Sequence, residues 1–462
     1  MNSLKLKFLG DKKFYLMLIG VVLPIILQQF LTQFVSLLDN LMIGNIGNSE
    51  MTGVSLGNQL LFVFNLSIFG SLSGASIFAS QYMGANDKKG YHQAFKFKCF
   101  VGIFFFILFT VIFILFNEPL IKFFINSNGD DFSDPNIVLQ SGKQYLLIML
   151  FGNLPFVIKE IYATSLREMK ETKVPMLCGV IAIIVNLIFN TLLIFGLLGF
   201  PKLGVAGAAI ATVISRVVEM IIIIIYTTVK KKKYVLLDGV FKSEGLKYTY
   251  VKKFIPKTLA LVINETLWSL GLTLILSCYA LKGLDVVASL NICNTVSNLF
   301  ITIGTSMGNA TAIIIGTLLG AKKLKEAKAA SYKIMFFAFC VSLIFALIEL
   351  SSAFIIPNIY DTSDYIKTMS TNLIIIAAII LPFSSISTVC YFTLRSGGMM
   401  LVTILFDSCF IMLVRLPLAF ILTKYCDLSI YTIYFIVTAV DAAKIFVGIY
   451  LINKGIWIRI IV

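Results

Sequence analysis

Several polar side chains lie inside long apolar segments of this sequence, where they could bind a cation. Asp39 is in the first apolar segment, and Thr212 is near the start of the sixth. Asn186 and Asn190 are four residues apart in the fifth segment, so they share one face of a helix. Carboxylate, amide and hydroxyl oxygens are ligands of hard cations such as sodium, and a carboxylate alone can hold a proton. We predict a cation-coupling site here; the alternative for the two asparagines is that they only join helices.

A second group of polar residues surrounds Glu265 in the seventh apolar segment. Asn264 directly precedes Glu265, and Trp268 lies one turn away on the same helical face. A carboxylate beside an aromatic ring is typical of sites that receive organic cations. Asp407, in the eleventh segment, is the next candidate because ionisable groups inside membrane spans are costly and usually functional. We predict a substrate site or second cation site from these four residues.

The composition determines the class of protein that must hold these residues in place. Hydrophobic residues make up 58% of the 462 residues, and charged residues only 13%. This balance excludes an ordinary soluble domain. Apolar runs long enough to cross a hydrocarbon core of ~30 Å recur along the whole chain and predict twelve transmembrane helices. The predicted spans are 14–44, 53–82, 94–117, 141–165, 174–197, 204–229, 254–281, 286–319, 331–356, 370–394, 400–423 and 428–452.

The two halves of the chain repeat the same features in the same order. Pro24 matches Pro256, and Gly84 matches Gly320. The predicted division is a six-helix N-terminal bundle at 1–229, a cytoplasmic linker at 230–253 and a six-helix C-terminal bundle at 254–462. Two similar membrane halves have a natural binding site at their interface, which rocking exposes to each side in turn. The repeat therefore predicts a transporter.

The charges predict how the chain is oriented in the membrane. If the N-terminus is cytoplasmic, the cytoplasmic segments carry most of the bases, among them Lys12, Lys13, Lys88, Lys89, Lys230 to Lys233, Lys322, Lys323 and Arg395. The outer segments then carry the acids Asp130, Asp131, Asp134, Asp361 and Asp364. This bias satisfies the positive-inside rule, so we predict a multi-pass plasma-membrane protein with both termini in the cytoplasm. We attribute the net charge of +15 to contact with lipid headgroups and expect no nucleic-acid partner.

What the sequence lacks narrows the chemistry further. His92 is the only histidine, which argues against histidine-ligated metal sites and a histidine general base. No phosphate-binding glycine motif occurs, so we expect neither ATP hydrolysis nor a bound dinucleotide. No nucleophile and base are placed together, so an enzyme is not expected. We expect no cofactor and an ion gradient, of sodium or protons, as the energy source.

Short motifs along the whole chain carry a family resemblance. In order, they are Leu23-Pro24, Asp39, Met42-Ile43-Gly44, Gly74-Ala75-Ser76, Gln81-Tyr82-Met83-Gly84, Asn186, Asn190, Phe195-Gly196, Gly207 to Thr212, Asn264-Glu265, Trp268 and Leu394-Arg395-Ser396-Gly397-Gly398. Each motif alone is weak, but their order and spacing resemble the multidrug and toxic compound extrusion (MATE) family.

The resemblance implies an all-α membrane protein whose twelve transmembrane helices form two pseudo-symmetric six-helix bundles around a central cleft. It implies an antiporter that exports amphipathic, often cationic drugs or toxic organic compounds in exchange for sodium ions or protons. Family members hold the ion with an aspartate at the Asp39 position, an asparagine and a second aspartate on the fifth helix, and a threonine on the sixth. Several members also use a glutamate at the Glu265 position. We expect a monomer whose partners are small organic molecules and the lipid bilayer.

Two departures from the family pattern bear on the coupling ion. Asn190 replaces the second aspartate of the fifth helix, and Ser384 aligns with an acidic residue that some members carry on the tenth. An amide can ligate sodium but cannot carry a proton, so this pattern favours sodium at Asp39. The alternative function is a flippase of lipids or lipid-linked oligosaccharides in the same wider superfamily. A passive channel is disfavoured because the sequence shows no obvious selectivity ring.

Overall fold

The computed structural model describes residues 9–44, 46–128, 134–230, 234, 238–242, 244–360 and 362–462. Within these ranges the protein is helical without β-strands, and twelve helices are long and apolar enough to cross a membrane. In chain order they are α1 (Lys12–Gly44), α2 (Asn48–Gly84), α3 (Lys88–Asn128), α4 (Pro135–Glu168), α5 (Lys173–Phe195), α6 (Val205–Val229), α7 (Tyr248–Ala280), α8 (Leu284–Gly320), α9 (Leu324–Ser352), α10 (Asp364–Ser396), α11 (Met400–Tyr425) and α12 (Ile430–Lys454). The predicted all-α class and twelve spans are confirmed.

Several helices extend beyond the predicted apolar runs. Most of the run at 331–356 lies in α9, which begins at Leu324 and ends at Ser352, and the run at 94–117 lies in the longer α3. The added ends are rich in lysine and other good helix formers, such as Lys325 and Lys328 in the first turns of α9. Hydropathy marks the part of a helix that is apolar, whereas the backbone hydrogen bonds continue through the charged turns that follow.

Local signals in the sequence set where some of these helices begin and end. Asp134 precedes α4 and accepts a hydrogen bond of 2.9 Å from the backbone N–H of Asn136, with Pro135 in the first helical position. Ser363 accepts a hydrogen bond from the backbone N–H of Ile366 at the start of α10. Gly196 ends α5 with a φ of 72°, a left-handed conformation that glycine adopts without strain.

The helices form two compact units. The first unit comprises the described parts of Met1–Phe30, Ile77–Gly90 and Leu259–Val462, and the second comprises those of Leu31–Ser76 and Tyr91–Thr258. The chain therefore passes from one unit to the other within α1, α2, α3 and α7. The division at 1–229, 230–253 and 254–462 stays a prediction.

The segment between α6 and α7 packs onto the second unit. Tyr234 is 1% exposed and lies in a cluster with Leu166 of α4 and Cys178 of α5. The Gln93 side chain of α3 donates to the carbonyl of Gly245 at 3.0 Å and accepts from the backbone N–H of Lys247 at 2.8 Å. Among the residues used to predict the orientation, those that lie outside the described ranges are Lys231 to Lys233, Asp130, Asp131 and Asp361.

In the first unit, α2 and α8 cross at two glycines that the repeat pattern had paired. A Cβ atom on Gly320 would lie 1.9 Å from the carbonyl oxygen of Gln81, and one on Gly84 would lie 2.0 Å from that of Thr317. Both distances are far below van der Waals contact, and both involve backbone atoms that cannot turn aside. Glycine at both positions therefore permits the close approach of the two helices.

We expect Gly320→Ala to destabilise the protein by at least ~1–3 kcal/mol, the usual effect of overpacking, because the new methyl group would collide with the backbone of α2. The measurement is the midpoint of thermal unfolding in detergent. Gly20→Ala in α1 is the matched control, since a Cβ atom there would meet no atom within 4 Å. Equal midpoints for the two variants would contradict the close crossing.

Candidate functional site

The four residues predicted as a cation site meet in the second unit. Asn190 Nδ2 donates to Asp39 Oδ1 at 2.6 Å and to Asn186 Oδ1 at 3.0 Å. Asn186 Nδ2 donates to Thr212 Oγ1 at 3.3 Å, and the Thr212 hydroxyl donates to the carbonyl of Ala208 at 3.0 Å. The residues come from α1, α5 and α6, so the site joins three helices. We call the side chains of Asp39, Asn186, Asn190 and Thr212 the Asp39 site.

One oxygen of the Asp39 site lacks a partner. Asn190 is fully buried, and its side-chain oxygen Oδ1 has no hydrogen bond, although its Nδ2 group makes two. A buried polar atom without a partner typically costs about 1–3 kcal/mol. Asp39 itself is partly exposed, and within the described chain its electrostatic surroundings contain the Asn190 amide but no lysine or arginine. The site therefore contains an uncompensated carboxylate beside an unused amide oxygen.

This arrangement has the donor set of a hard-cation site. The Asp39 carboxylate, the Oδ1 atoms of Asn186 and Asn190, and the Thr212 hydroxyl supply oxygens, which suit sodium better than a soft metal. A half-turn of the Asn190 amide about its broad terminal torsion would exchange its nitrogen and oxygen. Such a turn would direct the unused oxygen toward a cation beside Asp39.

In the first unit, Glu265 lies at the centre of a second polar arrangement. Tyr391 donates to Glu265 Oε1 at 3.2 Å, and Arg395 Nη1 donates to the same oxygen at 3.4 Å. Asn264 Nδ2 donates to the hydroxyl of Tyr391 at 3.0 Å and to Asp407 Oδ2 at 3.2 Å. Asn264 is fully buried, and Arg395 is only 3% exposed. Glu265 and Asp407 are thus linked through neutral groups.

The same chain of contacts continues to α12. Lys444 Nζ lies 3.6 Å from Asp407 Oδ1 and 3.5 Å from Asp441 Oδ1. Arg415 Nη1 donates to Asp441 Oδ2 at 2.8 Å. We call the connected set the Glu265 network; its members are Arg395, Glu265, Tyr391, Asn264, Asp407, Lys444, Asp441 and Arg415. It joins α7, α10, α11 and α12 and contains three carboxylates and three cations.

Two helices are interrupted where they meet this network. α11 consists of Met400–Phe406, a short turn, a π-helical turn at Ile411–Arg415 and Leu416–Tyr425. Asp407 lies at the first interruption, with φ −106° and ψ −80°. Asp441 is the first residue after the break in α12. Departures from α-helical geometry within a helix are frequent at functional sites.

The structure thus brings together three of the four residues predicted around Glu265, namely Asn264, Glu265 and Asp407. Trp268 is partly buried one turn further along α7, but no described hydrogen bond or ring contact joins it to the network. The interpretation of Arg395 as a boundary charge was incomplete, because the side chain is buried and pairs with Glu265. Tyr391 precedes Arg395 by four residues, so the two side chains share one face of α10. This spacing was the pattern in the sequence that indicated a polar face of α10.

Comparisons with known proteins agree with this architecture. Among curated relatives, a probable multidrug resistance protein NorM from Thermotoga maritima is 25% identical over 417 residues, covering 89% of this chain and 86% of the relative. A NorM protein from Bacillus licheniformis is 26% identical over 71% of both chains. A solved outward-facing multidrug resistance MATE transporter superposes with a TM-score of 0.84 at 17% identity, covering 95% of this chain and 96% of that one. A solved MOP-superfamily transporter from Pyrococcus furiosus superposes with a TM-score of 0.83 at 18% identity, covering 98% of this chain and 99% of that one.

The fold and these likenesses define a multi-pass membrane transporter, not an enzyme. The family model described as MatE matches residues 24–192 and 260–421. These two ranges span both predicted halves and most of the chain. The chain belongs to the MatE family, and the predicted family is confirmed.

We expect removal of one partner of the Glu265–Arg395 ion pair to destabilise the protein strongly. Arg395→Gln would leave a buried carboxylate without its cation, a change that typically costs about 3–5 kcal/mol. Glu265→Gln combined with Arg395→Gln should be closer to the wild type than Arg395→Gln alone, since no buried charge then lacks its partner. Thermal unfolding of both single variants and the double variant forms a double-mutant cycle. Strictly additive effects would show that the two side chains do not interact.

Proposed function

We propose that the protein is a secondary active antiporter that exports amphipathic, often cationic organic compounds in exchange for sodium ions or protons. The observation that supports this most is the Asp39 site, where a carboxylate without a basic partner lies beside an unused, buried amide oxygen. An intramembrane carboxylate of this kind is typical of ion and substrate pathways. The curated relatives named above, which are called multidrug resistance proteins, support the drug-export part of the proposal.

In the proposed cycle the ion enters the Asp39 site from outside while the exported compound leaves. Binding of a cation replaces the hydrogen bond between Asn190 and Asp39 with ion–oxygen contacts. The inward-facing state then releases the ion and takes up the next organic molecule. Coupling requires that the ion and the organic compound favour different states, since a ligand that binds both states equally does not shift the equilibrium between them.

We propose sodium as the ion at the Asp39 site. Four neutral or anionic side chains supply oxygens there, and the amide of Asn190 can serve as a ligand but cannot carry a proton. The single carboxylate gives the site one negative charge, which matches one monovalent cation. A proton would use only Asp39 and would leave the Asn190 oxygen without a role.

The charge balance of the Glu265 network favours export of organic compounds over the flippase alternative. Glu265, Asp407 and Asp441 are all in ion pairs with Arg395, Lys444 or Arg415. A site for the phosphates of a lipid or lipid-linked sugar would be expected to have an excess of cations. Among the charged residues of the network, three carboxylates balance three cations.

The proposal includes a location and an assembly state. The lysine-rich segments support a plasma-membrane protein with both termini in the cytoplasm, as the positive-inside rule predicts. Each unit contains its own polar site, so a single chain supplies the residues that the mechanism uses. We therefore propose that the monomer is the working form.

We expect Asp39→Asn to abolish gradient-driven efflux in proteoliposomes, because the variant keeps the shape of the side chain but loses the charge that holds the ion. The measurement is dye efflux under an imposed sodium or proton gradient, with insertion checked by protein recovery in the liposomes. Glu118→Gln, which alters an exposed carboxylate of the same unit, is the control. Wild-type efflux in Asp39→Asn would exclude the ion role of this residue.

We expect Asn190→Asp to make transport depend on pH. The amide nitrogen of Asn190 lies 2.6 Å from Asp39, and two carboxylates this close cannot both stay ionised without a cation. The variant should therefore take up a proton with the ion, and initial efflux rates should vary with pH more steeply than in the wild type. Rates are compared across pH at constant sodium. Wild-type efflux that needs no sodium and runs fully on a proton gradient would contradict the sodium assignment.

A further inference from the structure

Glu349 is a buried carboxylate of the first unit that belongs to neither polar site described above. It lies near the C-terminal end of α9 and is only 1% exposed. The hydroxyl of Ser297, on α8, donates to Glu349 Oε1 at 2.8 Å. The other oxygen, Oε2, is buried and has no hydrogen-bond partner. One hydroxyl is therefore the whole hydrogen-bond support of this carboxyl group.

The groups that face Glu349 are neutral polar side chains. On α8, Cys293 lies one turn before Ser297, and its sulfur is 3.9 Å from the Ser297 hydroxyl. Cys293 interacts electrostatically with Glu349, and its sulfur also lies 3.9 Å from the hydroxyl of Tyr434 on α12. Tyr434 in turn packs against Tyr279 of α7, and the centres of the two rings are 5.9 Å apart.

Helix α10 also packs against α9, and the charged residues near its start, Asp364 and Lys367, pair with each other at 3.8 Å. Its hydrogen bonds to α9 come from hydroxyls: Thr371 donates to the carbonyl of Ala353, just beyond the end of α9, and Ser385 accepts from Ser342 at 2.6 Å. Within the described part of the chain, the electrostatic surroundings of Glu349 contain the Ser297 hydroxyl but no lysine or arginine. Glu349 thus differs from Glu265, which has Arg395 beside it.

These surroundings suit a proton and not a metal ion. An ionised carboxylate without a cation or further hydrogen bonds costs several kcal/mol in such a place, and a proton removes most of that cost. A hard metal ion would need more oxygen ligands than the carboxyl group and one hydroxyl provide. The described residues also contain no group of three histidine, cysteine or acidic side chains that could hold a metal.

We propose that Glu349 is a proton-binding site of the first unit, which takes up a proton as a neutral carboxylic acid and releases it as a carboxylate. Cys293, Tyr434 and Tyr279 carry S–H or O–H groups that can both donate and accept, and they extend from Glu349 toward the Glu265 network. Tyr279 lies within electrostatic range of Arg415 and Asp441, the last ion pair of that network, and its buried hydroxyl makes no hydrogen bond. The proposal concerns a site separate from Asp39 and holds whether sodium or a proton binds there.

The test is infrared spectroscopy of the purified protein in lipid across a range of pH, without drug or gradient. We expect a C=O stretching band of a buried carboxylic acid that disappears at high pH. Glu349→Gln should lose this band, whereas Glu326→Gln, which changes an exposed acid at the other end of the same helix, should keep it. A spectrum of Glu349→Gln that keeps every pH-dependent carboxylic-acid band of the wild type would overturn the proposal.

A second variant keeps the test valid if Glu349→Gln folds poorly. Ser297→Ala leaves the carboxyl group in place and removes only its hydrogen-bond donor. We expect the band to move to higher frequency, since the carbonyl loses the bond that weakens it. An unmoved band would assign it to another residue and contradict the proposal. Because no transport is measured, this outcome is independent of the outcome of the efflux experiments at Asp39.

Discussion

The structure depends on how each carboxylate inside an apolar helix bundle is compensated. An ionised group in such surroundings is tolerated only with hydrogen bonds, an opposite charge or a bound cation. Asp39 has an amide donor, Glu265 has an arginine and a tyrosine, and Glu349 has one hydroxyl. The three acids therefore differ in how far the protein itself compensates their charge. The ion pair at Glu265 compensates it most, and the single hydroxyl at Glu349 compensates it least.

The Glu265 network adds a cooperative element to this constraint. Each of its inner charges contacts two partners, as Lys444 does with Asp407 and Asp441. A change of charge at one end of the network alters the electrostatic energy of the next charged group, because interactions in a low-dielectric interior are strong and poorly screened. The network also connects four helices, so its rearrangement would change how α7, α10, α11 and α12 pack. A polar network of this kind can link the charge at Glu265 to the shape of the unit around it.

Much of the fold follows from patterns that a sequence displays directly. Apolar runs predict all twelve membrane helices of the described chain, and the order of repeated motifs pairs Gly84 with Gly320, which lie where α2 and α8 cross. Asn186 and Asn190 share a face by helical periodicity, and their depth in the fifth span placed them near Asp39. These inferences succeed because they need only local geometry and the length of a span.

The partners of the other acids could not be predicted in the same way. Arg395 and Glu265 are 130 residues apart, and whether they meet depends on the rotation of α7 and α10 about their axes. The sequence fits equally well with Arg395 in contact with lipid headgroups. Glu349 was missed although it is the only charged residue in the long apolar stretch that ends α9, which is itself a signal of burial. Its proximity to the end of the helix made it resemble an ordinary boundary acid.

The π-helical turn at Ile411–Arg415 has a consequence for how this chain can change by insertion and deletion. A π-helical turn contains one residue more than the α-helical turn it replaces. Loss of one residue there would restore a regular helix while the helical segments on either side keep their orientation, because the wide turn already completes one revolution. The change would fall on the turn itself, which includes Arg415, the partner of Asp441. A single-codon deletion in this turn would thus preserve the hydropathy profile and the packing of α11 while it alters the network at Arg415.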